Sequence, residues 1–368
     1  MTDDFEQYLA HGVESIVTQV VHATLTDPKE SAFMAKYVLA SREATKRRAE
    51  LESGGEHIPP FLIASISSQC NLHCVGCYAR ANHSCTDGKP QGELTDGEWL
   101  SIFREAETLG VGFILLAGGE PLLRRRVLEN AAGLPKILFP IFTNGTLLDD
   151  EYLELFSRSR NLFPVFSIEG QKESTDRRRG AGTYQKLSLA VERMSRQHLM
   201  FGASVTVTVQ NLEEVTSHTF LASLAQRGCK IVFYIEYVPV AAQNAFLAPG
   251  DAERELLRQK LDALRTDYGE MLFLSFPGDE KASGGCLAAG RGFFHINAHG
   301  GAEPCPFSPH SDTSLRDVSL REALRSPLFG QLRAKGLLQE SHIGGCTLFA
   351  QKEQVKALLK KKEPETCG

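Results

Sequence analysis

From residue 61 onward, apolar strand-like runs alternate with helical segments, and no other feature limits the fold as strongly. Strand-like runs fall at 61–65, 112–117, 136–142, 162–168, 203–209 and 231–236. Helical segments lie between most of them. The one over 95–109 opens on a capping box, Thr95 and Glu98, and carries an apolar face of Trp99, Ile102, Phe103, Ala106 and Leu109. Strands alternating with helices build a parallel sheet with right-handed crossovers. Six units are too few for a closed eight-stranded barrel. The expected fold class is therefore α/β, a partial (β/α)6 barrel with its ligand site at the carboxyl ends of the strands.

Two additions flank this core. Residues 1–58 read as a helical amino-terminal extension, with Phe5, Leu9, Val13, Ile16, Val17, Val20 and Val21 at helical spacing. Asp27, Pro28 and Glu30 give a second helix start, and Gly54-Gly55 an exit. The extension is either a cap on the next domain or an arm that docks a partner or substrate. The core is expected over 59–245, followed by a connecting helix within 246–285 that starts near Pro249-Gly250-Asp251 and ends the βα rhythm. Residues 286–368 read as a hairpin, Phe293 to Ile296 then Ala302 to Cys305, followed by short helices and a lysine-rich tail.

Formal net charge is −5, so no basic field calls for nucleic acid. The short runs Arg124–Arg126 and Arg177–Arg179 read as solvated faces or contacts to a substrate anion. The acidic, polar amino terminus is not a signal peptide, and no apolar run reaches the length of a membrane span. The expected compartment is the cytoplasm. Nine cysteines there are metal ligands or free thiols rather than disulfides.

Three of them, Cys70, Cys74 and Cys77, form a C-x3-C-x2-C run directly after the first strand, followed by Tyr78. Three thiolates hold a 4Fe–4S cluster by three irons and leave the fourth open. A zinc site completed by His73, His83 or Cys85 is the competing reading, although structural zinc usually pairs one knuckle with a second. The second strand ends in Gly118-Gly119-Glu120-Pro121, at the same end of the sheet. A glycine pair there lets the backbone approach a ligand closely.

The cysteine loop, the Gly118-Gly119-Glu120 element and the six βα units together resemble the radical S-adenosylmethionine (SAM) superfamily. The resemblance implies that the open iron chelates the amino and carboxyl groups of SAM. One electron then cleaves the sulfonium, giving methionine and a 5′-deoxyadenosyl radical that abstracts hydrogen from an unactivated C–H bond. Glu120 resembles the acid that binds the SAM amino group, and Tyr78 the aromatic residue whose backbone meets adenine. Ser167 resembles a contact to ribose or to the methionine carboxylate. Glu169 stands where many relatives have aspartate, which puts its role in question. Asn211 resembles a residue near the ribose, and it reads equally as a helix cap.

Cys286, Gly300 and Cys305 fall in a C-x13-G-x4-C pattern that resembles the opening of Twitch and SPASM extensions. Cys346 matches the final cysteine of a SPASM domain, and His342 stands where the preceding one would be. The resemblance implies a degenerate extension that keeps one auxiliary 4Fe–4S cluster on Cys286, Cys305 and Cys346. Its fourth position falls to His295, His299, His310 or substrate. The competing reading is three unconnected thiols. Cys85 and Cys229 read as spare or buried thiols, with Cys85 near enough to the loop to face the site. Cys367 reads as frayed.

The expected activity is radical SAM chemistry on a peptide or protein, with a small-molecule biosynthetic intermediate as the alternative. The expected electron partner is a flavodoxin or ferredoxin. An Fe–S electron carrier or scaffold without turnover, and a zinc-binding interaction module, are the readings from other classes.

Overall fold

The computed structural model describes residues 28–338 and 345–359. The helix expected over Phe5 to Val21, along with Asp27, His342 and Cys367, lies outside these residues.

Helix α1 (Pro28–Ser53) opens on a proline, whose missing N–H costs nothing in a first turn. Its buried Met34 and Tyr37 pack against Leu138, Phe163, Met200, Ile231 and Leu272, at or next to the amino ends of strands. The Tyr37 hydroxyl donates to the Gly112 carbonyl at 2.8 Å. A buried ion pair joins Glu30 to Arg160. This helix closes the end of the barrel away from the cysteine loop.

Strands β1 (Phe61–Ser67), β2 (Phe113–Gly118), β3 (Phe139–Thr143), β4 (Leu162–Ser167), β5 (Phe201–Val207) and β6 (Cys229–Glu236) pair in chain order, all parallel. The βα rhythm does not stop there. After the helix Asp251–Asp267 comes β7 (Leu272–Phe276), paired parallel to β6 from Ile231↔Leu272 to Ile235↔Phe276. The connecting segment expected over 246–285 is thus largely a seventh βα unit. Periodicity does not separate so short an apolar run from a helix end.

The hairpin is present as β8 (His295–Ile296) and β9 (Ala302–Glu303), shorter than expected. Strand β8 pairs parallel to β1 through Ile63↔His295 and Ala64↔Ile296. The nine strands form one sheet in the order β7-β6-β5-β4-β3-β2-β1-β8-β9. The carboxyl-terminal extension therefore continues the barrel sheet past its first strand.

Alternation along the strands sorts the two faces. Ala64, Ile66, Ile114, Leu116 and Ile141 pack outward with helix residues including Trp99, Phe103, Phe156 and Leu187. The helix Asp96–Leu109 has the expected capping box, with both Thr95–Glu98 hydrogen bonds made. Ile63, Leu115, Phe142, Ile235 and Phe276 face an interior cavity, which turns polar toward the carboxyl ends at Ser167, Ser204 and Thr206.

Candidate functional site

The cysteine loop starts three residues after β1 and is held at several backbone points. Arg80 donates from Nη2 to the Leu72 carbonyl at 2.8 Å and to the Cys70 carbonyl at 3.3 Å. Asn144 donates to Asn71 at 2.9 Å, and Asn71 donates to Thr146 at 2.8 Å, tying the loop to the end of β3. The Val75 amide donates to the Arg178 carbonyl at 2.7 Å. Gly76 lies at φ +68°, and a Cβ there would come within 2.5 Å of the Tyr237 hydroxyl. The loop is packed down between the ends of β3, β4 and β6.

The glycine pair has a concrete role. The Gly119 amide donates to Ser67 O at 2.7 Å and the Glu120 amide to Gln69 O at 2.8 Å, so this turn runs alongside the backbone that leads into Cys70. A Cβ at Gly118 would sit 2.3 Å from Ser67 O, and one at Gly119 would sit 2.1 Å from Gln69 O. Only glycine permits the approach.

Glu120 lines the cavity, but its carboxylate is committed elsewhere. It is 1% exposed and accepts hydrogen bonds from Thr143 Oγ1 at 2.6 Å, the Asn144 amide at 2.8 Å and the Leu122 amide at 3.0 Å. Burial pushes its pKa up against those bonds. In this structure the side chain fastens the end of β2 to β3, rather than standing free for an ammonium group.

Ser167 and Tyr78 line the cavity, with Phe307 edge-on to the tyrosine at 5.1 Å. Glu169 and Asn211 do not line it. Burial disfavours the Glu169 carboxylate, but Arg178 and Arg179 outweigh that and hold its pKa below the ordinary range. It accepts from Arg178 at 2.6 Å, Arg179 Nε at 2.8 Å and the Thr206 amide at 3.0 Å. Arg178 and Arg179 are therefore neither solvated nor idle. Both line the cavity, and Arg179 Nη1 lies 4.0 Å from Cys74 Sγ. Asn211 donates to the carbonyls of Glu169 and Thr206 at 3.0 and 3.1 Å and accepts from the Thr208 amide at 2.8 Å. Its side chain makes no cap bond to the helix it precedes. It replaces both expected roles with a third, joining the ends of β4 and β5.

Cys286, Cys305 and Cys346 come together, and they line the same cavity of about 280 Å³ as Cys70, Cys74 and Cys77. Burial pushes the thiols of Cys286 and Cys305 well above the usual range and that of Cys346 up to about 12. Cys346 and Cys286 each raise Cys305 further, which places the three within electrostatic reach of one another. The Cys286 amide donates to Leu338 O at 2.8 Å. The Gly345 amide donates to Glu236 at 2.9 Å, and Arg254 holds the same carboxylate at 2.7 Å. The end of β6 thus fixes the backbone beside Cys346.

None of the three histidines lines the cavity among the described residues. His295 is buried between Ser65 Oγ and Glu303, both at 2.7 Å. Exposed His299 contacts the Gly92 carbonyl, and burial lowers the pKa of half-buried His310. Cys229 is a buried thiol in β6, as expected. Cys85 is a buried thiol that does not line the cavity.

Arg179 sat in the arginine run already singled out, but other cavity residues, Tyr237 and Glu280 among them, escaped the sequence reading. Tyr237 follows the sixth strand, and that position was the available signal. Glu280 lies in a Gly-Asp-Glu-Lys stretch that reads as surface, yet it is buried. Burial pushes its pKa up to about 7.

The donor set suits iron–sulfur clusters. Six thiols of a soft-ligand type face one cavity, and the buried ones need a cation to be held as thiolates. Among the described residues, no three His, Cys, Asp or Glu side chains are close enough to hold a single metal ion. A cubane differs from such a site in taking each thiolate on a separate iron. The hydroxyls of Tyr237 and Thr347 are buried without a partner among the described residues, and both residues line the cavity. Such atoms are costly unless a ligand meets them.

Fold and site define an α/β partial-barrel protein with a thiol-lined chamber at the carboxyl ends of its strands. Residues 64–221 match the Radical SAM superfamily. The AdoMet-dependent heme synthase of Methanosarcina barkeri is 29% identical over 292 residues, covering 72% of this chain and 81% of that protein. The mycofactocin maturase MftC of Mycobacterium ulcerans is 27% identical over 315 residues, covering 79% and 81%. The crystal structure of Streptococcus suis SuiB bound to its precursor peptide SuiA has the same fold, with TM-score 0.65 and 19% identity over 93% of this chain and 80% of that one. Residues 64–221 form a radical SAM domain, the domain of an enzyme superfamily that uses a 4Fe–4S cluster and SAM. No helix among the described residues is long and apolar enough to cross a membrane.

Proposed function

We propose that the chain modifies a peptide or protein by radical SAM chemistry, with the reacting side chain held between two cluster sites. One observation carries this reading: both cysteine triplets line a single cavity. Cys70, Cys74 and Cys77 would hold the SAM-binding cluster, and Cys286, Cys305 and Cys346 an auxiliary one. When bound, the cluster and SAM supply a carbon radical that abstracts hydrogen. The chain's own part is positional. Gly118 and Gly119 let β2 lie against the cysteine loop, while Arg179 places a cation near Cys74. Ile63, Leu115, Phe142 and Phe276 keep the chamber walls apolar, which protects a radical from quenching. The maturase name of MftC and the peptide bound to SuiB support a peptide substrate. The electron donor is proposed to be a flavodoxin or ferredoxin, and the compartment the cytoplasm.

A second reading is favoured by the heme synthase relative and by the apolar walls: an iron porphyrin as substrate. Anaerobic protein reconstituted with iron and sulfide would be incubated with dithionite, SAM and either a peptide encoded beside its gene or iron–coproporphyrin III. The peptide reading expects 5′-deoxyadenosine above the substrate-free level and a mass change on the peptide. A change on the porphyrin alone would replace it with the second reading. No 5′-deoxyadenosine from reconstituted, iron-loaded protein under any condition would sink both.

A further inference from the structure

We propose that Glu280 is the fourth protein ligand of the cluster held by Cys286, Cys305 and Cys346. This rests on the auxiliary-cluster reading above.

Three carboxylates line the cavity, those of Glu120, Glu236 and Glu280. Two are committed. Glu120 is held by Thr143 and two backbone amides, and Glu236 by Arg254 and the Gly345 amide. Glu280 differs. It is 6% exposed, lines the cavity together with Cys286, Cys305 and Cys346, and precedes Cys286 closely in the chain. Arg291 lies within electrostatic range but donates to the Cys286 carbonyl. A carboxylate buried in a thiol-lined cavity is short of positive charge, and a ferric or ferrous ion supplies it. The histidines that might have filled the position are turned to other partners or lie outside the cavity. Backbone geometry holds Glu280 close: its amide donates to Pro277 O at 2.9 Å, and the Gly285 amide donates to Glu280 O at 3.2 Å, immediately before Cys286.

The exchange balances simply. The Cys286 thiol loses its proton to solvent and binds iron as thiolate. A Glu280 carboxylate oxygen forms an Fe–O bond to the fourth iron and displaces a water from it, and any proton the carboxyl carries also goes to solvent. No oxidant or reductant is needed. With four protein ligands the auxiliary cluster has no open iron, and substrate meets it only by proximity.

The test uses full-length chain carrying Cys70→Ala, Cys74→Ala and Cys77→Ala, reconstituted anaerobically so that iron reports the second site alone. The parent is expected to hold a four-iron cluster whose reduced-state electron paramagnetic resonance spectrum does not move on adding cyanide. Glu280→Ala is expected to yield a three-iron cluster on mild oxidation, or a four-iron cluster whose spectrum shifts with cyanide. Glu280→Cys should restore a cyanide-insensitive four-iron cluster with shifted g values. Glu280→Gln, a near isostere, gives the same readout if the alanine variant fails to fold. Cyanide sensitivity in the parent equal to that of Glu280→Gln overturns the proposal. Absence of iron from a folded parent, by circular dichroism, overturns the auxiliary-cluster reading instead.

Discussion

The two cysteine triplets solve one chemical problem with opposite architectures. Cys70, Cys74 and Cys77 lie within a single loop, half-exposed, and are drawn in by Arg80, Asn144 and the Gly118-Gly119 turn. Cys286, Cys305 and Cys346 come from three separated segments, and the first two are less than 9% exposed. The local triplet needs room for backbone to approach, which glycine provides. The assembled triplet needs distant backbone fixed in place, which Glu236 and Arg254 provide at Gly345.

The sharpest break of this comparison is at the thiols. Cys74→Ala should reduce 5′-deoxyadenosine to background, while Cys305→Ala should lower iron per chain by about half and abolish substrate product. Iron assay and product chromatography check both. If Cys305→Ala leaves iron unchanged, the second triplet holds nothing.

Glu169→Gln comes next, because it leaves buried Arg179 and half-buried Arg178 without this counter-charge beside the first triplet. A loss of roughly 3–5 kcal/mol is expected in denaturant unfolding. The same pair sets a pH dependence. The folded pKa of Glu169 is lowered, so its contribution is complete above the ordinary carboxylate pKa and disappears as pH falls through the lower folded value. The midpoint should therefore drop on acidification below the ordinary carboxylate range, and less so in Glu169→Gln.

Gly119→Ala forces a Cβ against Gln69 O and should cost about 1–3 kcal/mol, with iron lost from the first triplet only. Glu236→Gln weakens the clamp on Gly345 and should cost about 1–3 kcal/mol, with iron lost from the second triplet only. Equal loss from both sites in either variant would show that the two triplets are not independently built. The smallest effect is expected at Tyr237→Phe: stability within about 0.5 kcal/mol, and a raised KM for substrate.

The difference between the triplets also governed what the sequence revealed. Spacing of three and two residues exposes a ligand loop directly, and a Gly-Gly-Glu turn on the next strand places it. The six strands were legible because apolar runs and amphipathic helices alternate. Leu272–Phe276 was not, since so short and mostly apolar a run behind a helix carries no period of its own. For the second triplet, spacing indicated which cysteines belong together but not what completes them. Glu280 sits among charged neighbours, and its burial is set by tertiary packing. The same limit applied to Glu120, Glu169 and Asn211. Their residue types suggested ligand contacts, whereas their hydrogen bonds join strand ends.

Strand β1 has the Gly-Gly strand as one neighbour and the extension's β8 as the other. The chamber is therefore ruled off by peptide hydrogen bonds, in steps of about 4.8 Å across the sheet. A hinge would let the two sulfur-lined walls part to admit a bulky guest. A continuous sheet makes the gap a fixed gauge, so selection falls on what can reach in from the mouth, one side chain or one ring edge at a time.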